Sequence, residues 1–420
     1  MKLLAVTFGT RGDFEPFLTL GQGLADAGHE VRLVSHASFA GLAEGSDVEF
    51  VGAPGRGMKE ILETDEARAM MRKVGNPLTL RRRLDELLGD DVRALYASVA
   101  EETGAADAVL AFPATFPAMD AAENAGKPVV QVHHVPALPT KTFPNAVNFA
   151  HGASYGAIGN RLTFTADATA TSVAMRRTIN RARREVLGMP RASVRGALRQ
   201  RQSFAGALIG TSPHVLSAPS DWPRNATVCG YWWPRAVDAP PPEPELIEFI
   251  ETSPAPTVFL TLGSTVIDDP AAMTELLVGA AGDAGVRLIL QSGWSGLGEG
   301  AAGEDVLVTG DLAYPEIFDR VDALAHHGGA GTVALGLRHA KPTLILPAIA
   351  DQFFWGHRLH ELGTSPEPLP LKKLTREKVA ARLRELVGNS GYATAARTAA
   401  EAIAEEDGAK AAADAVGRFF

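Results

Sequence analysis

The sequence predicts an α/β fold made of two Rossmann-like, doubly wound domains in series. Three observations predict it. Short apolar runs alternate with helical stretches from residue 3 onward, the grammar of a parallel sheet covered on both faces. That grammar stops at a Pro-rich stretch and restarts at Thr257. At 420 residues the chain also exceeds what one core sustains, and two domains of roughly 200 residues each are expected. The reading places the first domain at 1–215, a stiff linker at 216–245 and the second domain at 246–399.

Residues 3–8 form a short apolar run that reads as a buried parallel strand. A turn follows, Gly9-Thr10-Arg11-Gly12-Asp13, then a helix over 14–27 closed by Gly28. Strands are expected at 31–35 and 49–51, and a helical pattern at 59–100 with a break at Gly75-Asn76-Pro77. Strands at 107–112 and 128–132 flank a helix at 116–124. Residues 133–148 form a loop rich in proline and aromatics, the kind of segment that lines pockets beyond strand ends. A long helix is expected at 162–186 and a last strand at 208–212. The stretch from Pro213 to Pro244, with Tyr231-Trp232-Trp233 in its middle, reads as the linker. In the second half, strands are expected at 257–262, 286–290, 305–308, 323–325 and 343–346. A turn opens at Gly263-Ser264, a helix over 375–387 starts from a Thr375 cap, and the tail over 395–420 is helical and Ala-rich.

Composition narrows the function classes. A hydrophobic fraction of 46% and a charged fraction of 21% are those of a soluble globular protein. The net charge of −9 argues against nonspecific nucleic-acid binding. No apolar run approaches a membrane span, and the N-terminus reads as a first strand, not an export signal. The single cysteine, Cys229, excludes an internal disulfide and suits a reducing cytoplasm. Against the acidic mean stand Arg81-Arg82-Arg83 and the arginine-rich stretch from Arg176 through Arg201. A basic helical face of this kind either docks on an anionic membrane or is simply solvated.

The chemistry gathers at Ala325-His326-His327-Gly328-Gly329-Ala330-Gly331-Thr332 and, about twenty residues on, at Asp351-Gln352. A strand, a Gly-rich turn and a helix N-terminus make an anion site, and His327 adds a ring donor. Read alone, the glycines are a tight turn with two buried histidines; with Thr332 and the downstream Asp-Gln, a diphosphate site is the better reading. Asp351-Gln352 offers the acceptors and donors that vicinal sugar hydroxyls need, or is a helix N-cap. Asp13, between a strand and a helix, is an N-cap or a general base. A Rossmann Gly-x-Gly-x-x-Gly fingerprint, a Walker loop, a zinc pattern and an Asp-x-Asp triplet are all missing. The pairs His133-His134 and His326-His327 diverge on strands, which argues against shared metal binding.

Several of these motifs together resemble family-1 glycosyltransferases of the two-Rossmann GT-B type, nearest the sterol 3-beta-glucosyltransferases and the glycopeptide-antibiotic glycosyltransferases. The resemblance rests on Gly9-Thr10-Arg11-Gly12-Asp13-x-x-Pro16, on the stretch from Asn180 to Gly188, and on Asp221-Trp222-Pro223 before Gly230-Tyr231-Trp232. Gly263-Ser264, Ser292-Gly293-Trp294, the His327 motif and Asp351-Gln352-Phe353-Phe354-Trp355-Gly356 complete it. It implies two domains facing a cleft, with a C-terminal helix at about 400–420 crossing back to the first. It implies an inverting transfer with Asp13 as base, and a linker acting as a hinge. His327, Gly329, Ala330, Gly331, Thr332 and Ser264 would contact the donor diphosphate. Ala313, Tyr314 and Trp294 would meet the nucleobase, although relatives often carry Pro-His where this chain has Ala313-Tyr314, which leaves uridine or thymidine open. Asp351 and Gln352 would hold the donor sugar. No cofactor beyond the nucleotide-sugar co-substrate, UDP-glucose or a dTDP-sugar, and no metal is implied.

The function expected is hexose transfer, glucose from UDP-glucose first, to a hydroxyl of an apolar acceptor such as a sterol or polyketide. Phe14, Phe112, Phe116, His133, Phe143 and Phe149 are candidates to line the acceptor pocket or are ordinary core. His133 or His134 stands next as base if Asp13 does not serve. The rivals are a nucleotide-sugar epimerase and a catalytically silent sugar-nucleotide-binding partner. Location is expected to be cytoplasmic, with peripheral membrane contact through the basic stretch as an option; acceptor identity and oligomeric state stay open.

Overall fold

A seven-stranded, wholly parallel sheet forms from β1 (Lys2–Val6), β2 (Glu30–His36), β3 (Glu49–Ala53), β4 (Ala108–Ala111), β5 (Val129–His133), β6 (Gly206–Ile209) and β7 (Ala226–Val228). The strand order is β3-β2-β1-β4-β5-β6-β7 in this computed structural model. It describes all residues except 65, 67–76, 150–154, 236–242, 264, 294, 295, 299, 302, 311 and 313. Central strands β4, β5 and β6 are buried along their whole length, which is why they read as unbroken apolar runs. The order reverses between β1 and β4, and a doubly wound sheet opens its crevice at that point, beyond the carboxyl ends.

Helices α1 (Arg11–Asp26), α2 (Pro77–Thr103), α3 (Phe116–Ala125), α4 (Gly156–Ala174) and α5 (Arg176–Glu185) make the connections that matter for the site. The helix expected over 162–186 is two, because the chain turns at Met175. Three arginines of the arginine-rich stretch are committed to the protein's own acids. Buried Arg183 pairs with Asp120 of α3, Arg177 with Asp85 of α2 at 2.8 Å, and Arg181 with Glu185. Asp120 also accepts from Tyr96 Oη at 2.6 Å and from Gln200 Nε2 at 3.0 Å. These contacts clamp α5 onto α2 and α3, so the motif around Asn180 is scaffold and lends no support to a membrane-docking face. The side chains of Arg81 and Arg82 lie outside the described residues. No described helix is long and apolar enough to cross a membrane.

The linker expected at 216–245 needs correction. Its first part holds β7, which pairs with β6, and Cys229 and Trp232 sit in the core with Leu3, Phe14 and Leu208. Three half-buried residues among prolines give no alternation to read, and an edge strand needs only one partner. By compactness the first unit comprises Met1–Asn145, Tyr155–Arg235 and Asp407–Phe420, and the second is the remainder, Ala146–Ser154 and Ala236–Glu406. The C-terminal helix Gly408–Phe419 belongs to the first unit, where Ala412, Ala415 and Val416 join the core beside Phe17. Gly206 on β6 leaves the space that the Phe419 ring occupies.

The second unit is built on a five-stranded parallel sheet: β8 (Thr257–Thr261), β9 (Arg287–Gln291), β10 (Val306–Thr309), β11 (Ala323–His326) and β12 (Thr343–Ile345). Its order is β10-β9-β8-β11-β12, reversing between β8 and β11. Leu260, Leu288, Leu344 and Leu383 anchor its core. Helices α6 (Pro270–Ala284), α7 (Ala330–Arg338) and α8 (Gln352–Glu361) follow β8, β11 and β12.

Candidate active site

Asp13 is not the N-cap residue of its helix. Thr10 holds the N-cap position of α1, and Asp13 is the third helical residue, whose Oδ2 accepts the Thr10 N–H at 2.7 Å and the Thr10 hydroxyl at 3.0 Å. This reciprocal capping box ties the carboxylate to the end of β1. The Thr7 hydroxyl donates to the Asp13 carbonyl at 3.1 Å, and Gly9, at φ +150°, stands where a Cβ would strike the carboxylate. The other oxygen, Oδ1, lies 3.2 Å from Nε2 of His134, just past β5. Burial pushes the carboxyl up, but the hydrogen bond and charge of His134 and the two Thr10 donors outweigh it, and the group is held below the ordinary carboxylate value.

Asp13 and His134 stand in the wall of a pocket within the first unit. Leu88, Val92 and Leu95 of α2, Phe112, Phe116 and Ile179 make most of the rest of it, with Thr7 and Thr115 adding hydroxyls. The space between these side chains, open solvent at the mouth included, is about 690 Å³. It is an apolar pocket with one carboxylate and one imidazole.

Of the six expected acceptor residues, two line this pocket, Phe112 and Phe116. Phe14 points the other way, into the core, stacked on Phe39 at 4.6 Å. His133 is fully buried on the opposite face of β5 from His134, with Nε2 3.1 Å from Gln131 Oε1; burial pushes its pKa down to about 3, so it is a neutral core residue. Phe143 packs on Phe164 and Trp222. Phe149 lies in a segment grouped with the second unit and is not in the pocket wall. The loop after β5 is pinned from outside: the Thr140 hydroxyl and the Lys141 N–H donate to Asp221, and Trp222 Nε1 donates to the Leu138 carbonyl. That is the work of the Asp221-Trp222-Pro223 motif. The lining from α2 was missed although Leu88, Val92 and Leu95 sit at helical spacing, because periodicity alone does not say whether a stripe faces a core or a pocket.

In the second unit, β11 ends at His326 and α7 begins at Ala330 with Gly329 as N-cap. No side chain caps that helix start. His326 turns into the protein, where its Nδ1 accepts the Gly328 N–H at 3.0 Å. His327 turns the other way, packed between Gly263 and Gly329, where added Cβ atoms would come within 2.6 and 2.7 Å of its ring. Its Nδ1 is buried without a partner among the described residues. Burial pushes its pKa down to about 4, so the ring is neutral. A neutral donor with an unmatched nitrogen beside an uncapped helix start is a site shaped for an anion. Gly329, Ala330, Gly331 and Thr332 form that helix start; Ser264, Trp294 and Ala313 lie outside the described residues. The Tyr314 ring is engaged within the unit, stacked on Phe318 at 5.3 Å with its hydroxyl donating to Gln291 Oε1 at 2.6 Å. Among the described residues no cluster of three or more His, Cys, Asp or Glu could hold a metal.

Comparison with known proteins places both halves. Residues 3–145 match the glycosyltransferase family 28 N-terminal domain, and residues 301–416 match the erythromycin biosynthesis protein CIII-like C-terminal domain. The chain is 28% identical to a sterol 3-beta-glucosyltransferase of Arabidopsis thaliana, covering 100% of this chain and 68% of that protein. It is 30% identical to one of Neurospora crassa, covering 100% of this chain but 27% of the relative. Among solved structures, the glycosyltransferase of kitacinnamycin matches with a TM-score of 0.71 at 17% identity, covering 100% and 98% of the two chains. The glycosyltransferase VinC in complex with dTDP matches with a TM-score of 0.65 at 19% identity, covering 100% and 99%.

The chain is a glycosyltransferase of the GT-B fold.

In this glycosyltransferase the Asp351-Gln352 pair sits after β12, and Ala350 before it adopts φ +53°, a strained conformation for a residue with a Cβ. Asp351 occupies the N-cap position of α8, as one sequence alternative has it, but its side chain does not cap the helix. Its Oδ2 accepts from Nε1 of the buried Trp355 at 2.8 Å. Gln352 Oε1 accepts the N–H groups of Ala348 and Ile349 at 2.8 and 3.0 Å, so half of its amide is spent folding the loop back. Trp355 is a positioning partner that reading the Asp-Gln pair alone did not reveal.

Proposed function

We propose that this glycosyltransferase moves glucose from UDP-glucose to the hydroxyl of an apolar, sterol-like acceptor, with inversion at the anomeric carbon. The observation that carries the reading is the Asp13 carboxylate set in the wall of an otherwise largely apolar pocket. An acceptor buries its hydrocarbon body against Leu88, Val92, Phe112 and Ile179 and presents its one hydroxyl to Asp13. Asp13 takes the hydroxyl proton as the oxygen attacks the anomeric carbon, and the bond to the nucleoside diphosphate breaks on the opposite face. His327 and the start of α7 receive the charge gathering on the leaving diphosphate. Asp351 and Gln352 Nε2 engage the sugar hydroxyls, oriented by Trp355 and the folded loop. The relatives named as sterol 3-beta-glucosyltransferases support the acceptor class and the sugar.

The test is product analysis with UDP-glucose and a panel of cholesterol, sitosterol and polyketide alcohols. The expected product is a β-glucoside of a sterol, its anomeric configuration read by the proton coupling constant. An α-glucoside would overturn inversion; turnover confined to polyketide alcohols would overturn the acceptor class.

A further inference from the structure

Both oxygens of Asp13 are engaged, and by very different partners. Thr10 takes Oδ2 through a local capping box, whereas His134, brought by the sheet from the end of β5, takes Oδ1. The imidazole is held in place: Phe112 lies 5.3 Å and Phe17 6.4 Å from it, centroid to centroid, and its side chain is 14% exposed. Nδ1 is buried with no partner among the described residues, so Nε2 is the nitrogen that serves. An aromatic or aliphatic side chain would fill the same space without burying an unmatched nitrogen, so packing alone does not account for a histidine here.

The surroundings isolate the pair. Helix α2 presents Leu88, Val92 and Leu95; α3 presents Phe116 and Pro117; α5 presents Ile179; the segment after β4 presents Phe112, Ala114 and Thr115. Among the described residues, Asp13 and His134 are the only titratable ones in the pocket wall. On α1 itself Arg11 and Glu15 pair with each other at the exposed surface, and the neighbouring His133 faces Gln131 and is neutral.

We propose that His134 is a positioning residue for the transfer: its Nε2–H donates to Asp13 Oδ1 and fixes the carboxylate, ionised and oriented, toward an acceptor hydroxyl entering the pocket. This rests on the reading of Asp13 as the base. Thr10 and His134 together leave the carboxylate one orientation, and the imidazole stays in contact as Asp13 takes the acceptor proton. The lowered pKa of Asp13 agrees with this, since His134 supplies part of that lowering.

The experiment compares wild type, His134→Ala, His134→Gln and Asp13→Asn, using UDP-glucose with cholesterol across pH, alongside NMR titration of the Asp13 carboxyl carbon and the His134 ring nitrogens. In His134→Ala the carboxyl midpoint moves up, and the acid limb of kcat/KM moves to higher pH with it, because a base of higher pKa is lost sooner on acidification. Its kcat falls about a hundredfold, with acceptor KM changed little. His134→Gln, which keeps a donor without the titrating ring, recovers a large part of kcat. An Asp13 midpoint unmoved in His134→Ala overturns the proposal, as does a kcat loss with an unshifted acid limb and no recovery in His134→Gln. If Asp13→Asn is inactive while His134→Ala turns over normally, the base reading stands and the positioning role falls. If Asp13→Asn stays active, both fall. The titrations decide between these outcomes even where cholesterol is a poor acceptor.

Discussion

Asp13→Asn is expected to lower acceptor-dependent turnover by about 10²- to 10⁴-fold while leaving UDP affinity unchanged. The substitution keeps the shape of the side chain and can still accept the Thr10 donors at one oxygen, so the capping box and the start of α1 should survive. What it removes is the proton acceptor in the pocket wall. Steady-state release of UDP measures the first quantity and calorimetric titration with UDP the second. Loss of UDP affinity in this variant would mean that the effect is structural, because Asp13 belongs to the first unit and the proposed diphosphate site to the second.

His327→Ala is expected to act on the other substrate. Loss of one donor to a leaving group in a buried site costs about 10²- to 10³-fold in turnover, and UDP binding should weaken as well. The pH dependence of binding gives a sharper reading. Without ligand, burial holds His327 near a pKa of about 4, so at neutral pH the ring is uncharged. A diphosphate placed beside it favours the protonated ring and raises that pKa, so binding takes up a proton. Affinity for UDP should therefore tighten as pH falls from neutrality toward the unliganded pKa. In His327→Ala that dependence should flatten. An unchanged UDP affinity and pH profile in the variant would place the diphosphate elsewhere.

The fold was largely legible in the sequence because both sheets are parallel and buried. Runs such as those around Leu110, Val130, Leu260 and Leu344 are continuous apolar segments between helical stretches, and eleven of the twelve described strands fall at or near their expected positions. The twelfth, β7, was hidden for a physical reason: three half-buried edge residues carry no period, and the prolines around them read as linker. The local geometry of the second unit's candidate site was legible because it is contiguous in the chain: the strand end, the glycines and the helix start around His327 follow one another. The first unit's site was legible at one point only. Asp13 stands out at a strand-to-helix turn, but its partner comes from a strand end far along the chain. Nothing in the doublet His133-His134 says which ring faces the pocket and which faces Gln131. That the aromatic candidates Phe14, Phe143 and Phe149 do not line this pocket was hidden for the same reason, since a side chain's face is set by packing that no local pattern records. Arg183 shows the converse, a conspicuous basic motif whose charge is spent on Asp120 inside the fold.

The central claim is that the pocket beside Asp13 receives the acceptor, and Ala114→Trp tests it most directly. Ala114 lies on the turn between β4 and α3, half exposed in the pocket wall, so a large side chain there narrows the site with little demand on the core. The account predicts an acceptor KM raised about tenfold or more with UDP affinity unchanged. An acceptor KM equal to that of wild type, in a folded variant that still binds UDP, would contradict it and put the acceptor outside this pocket.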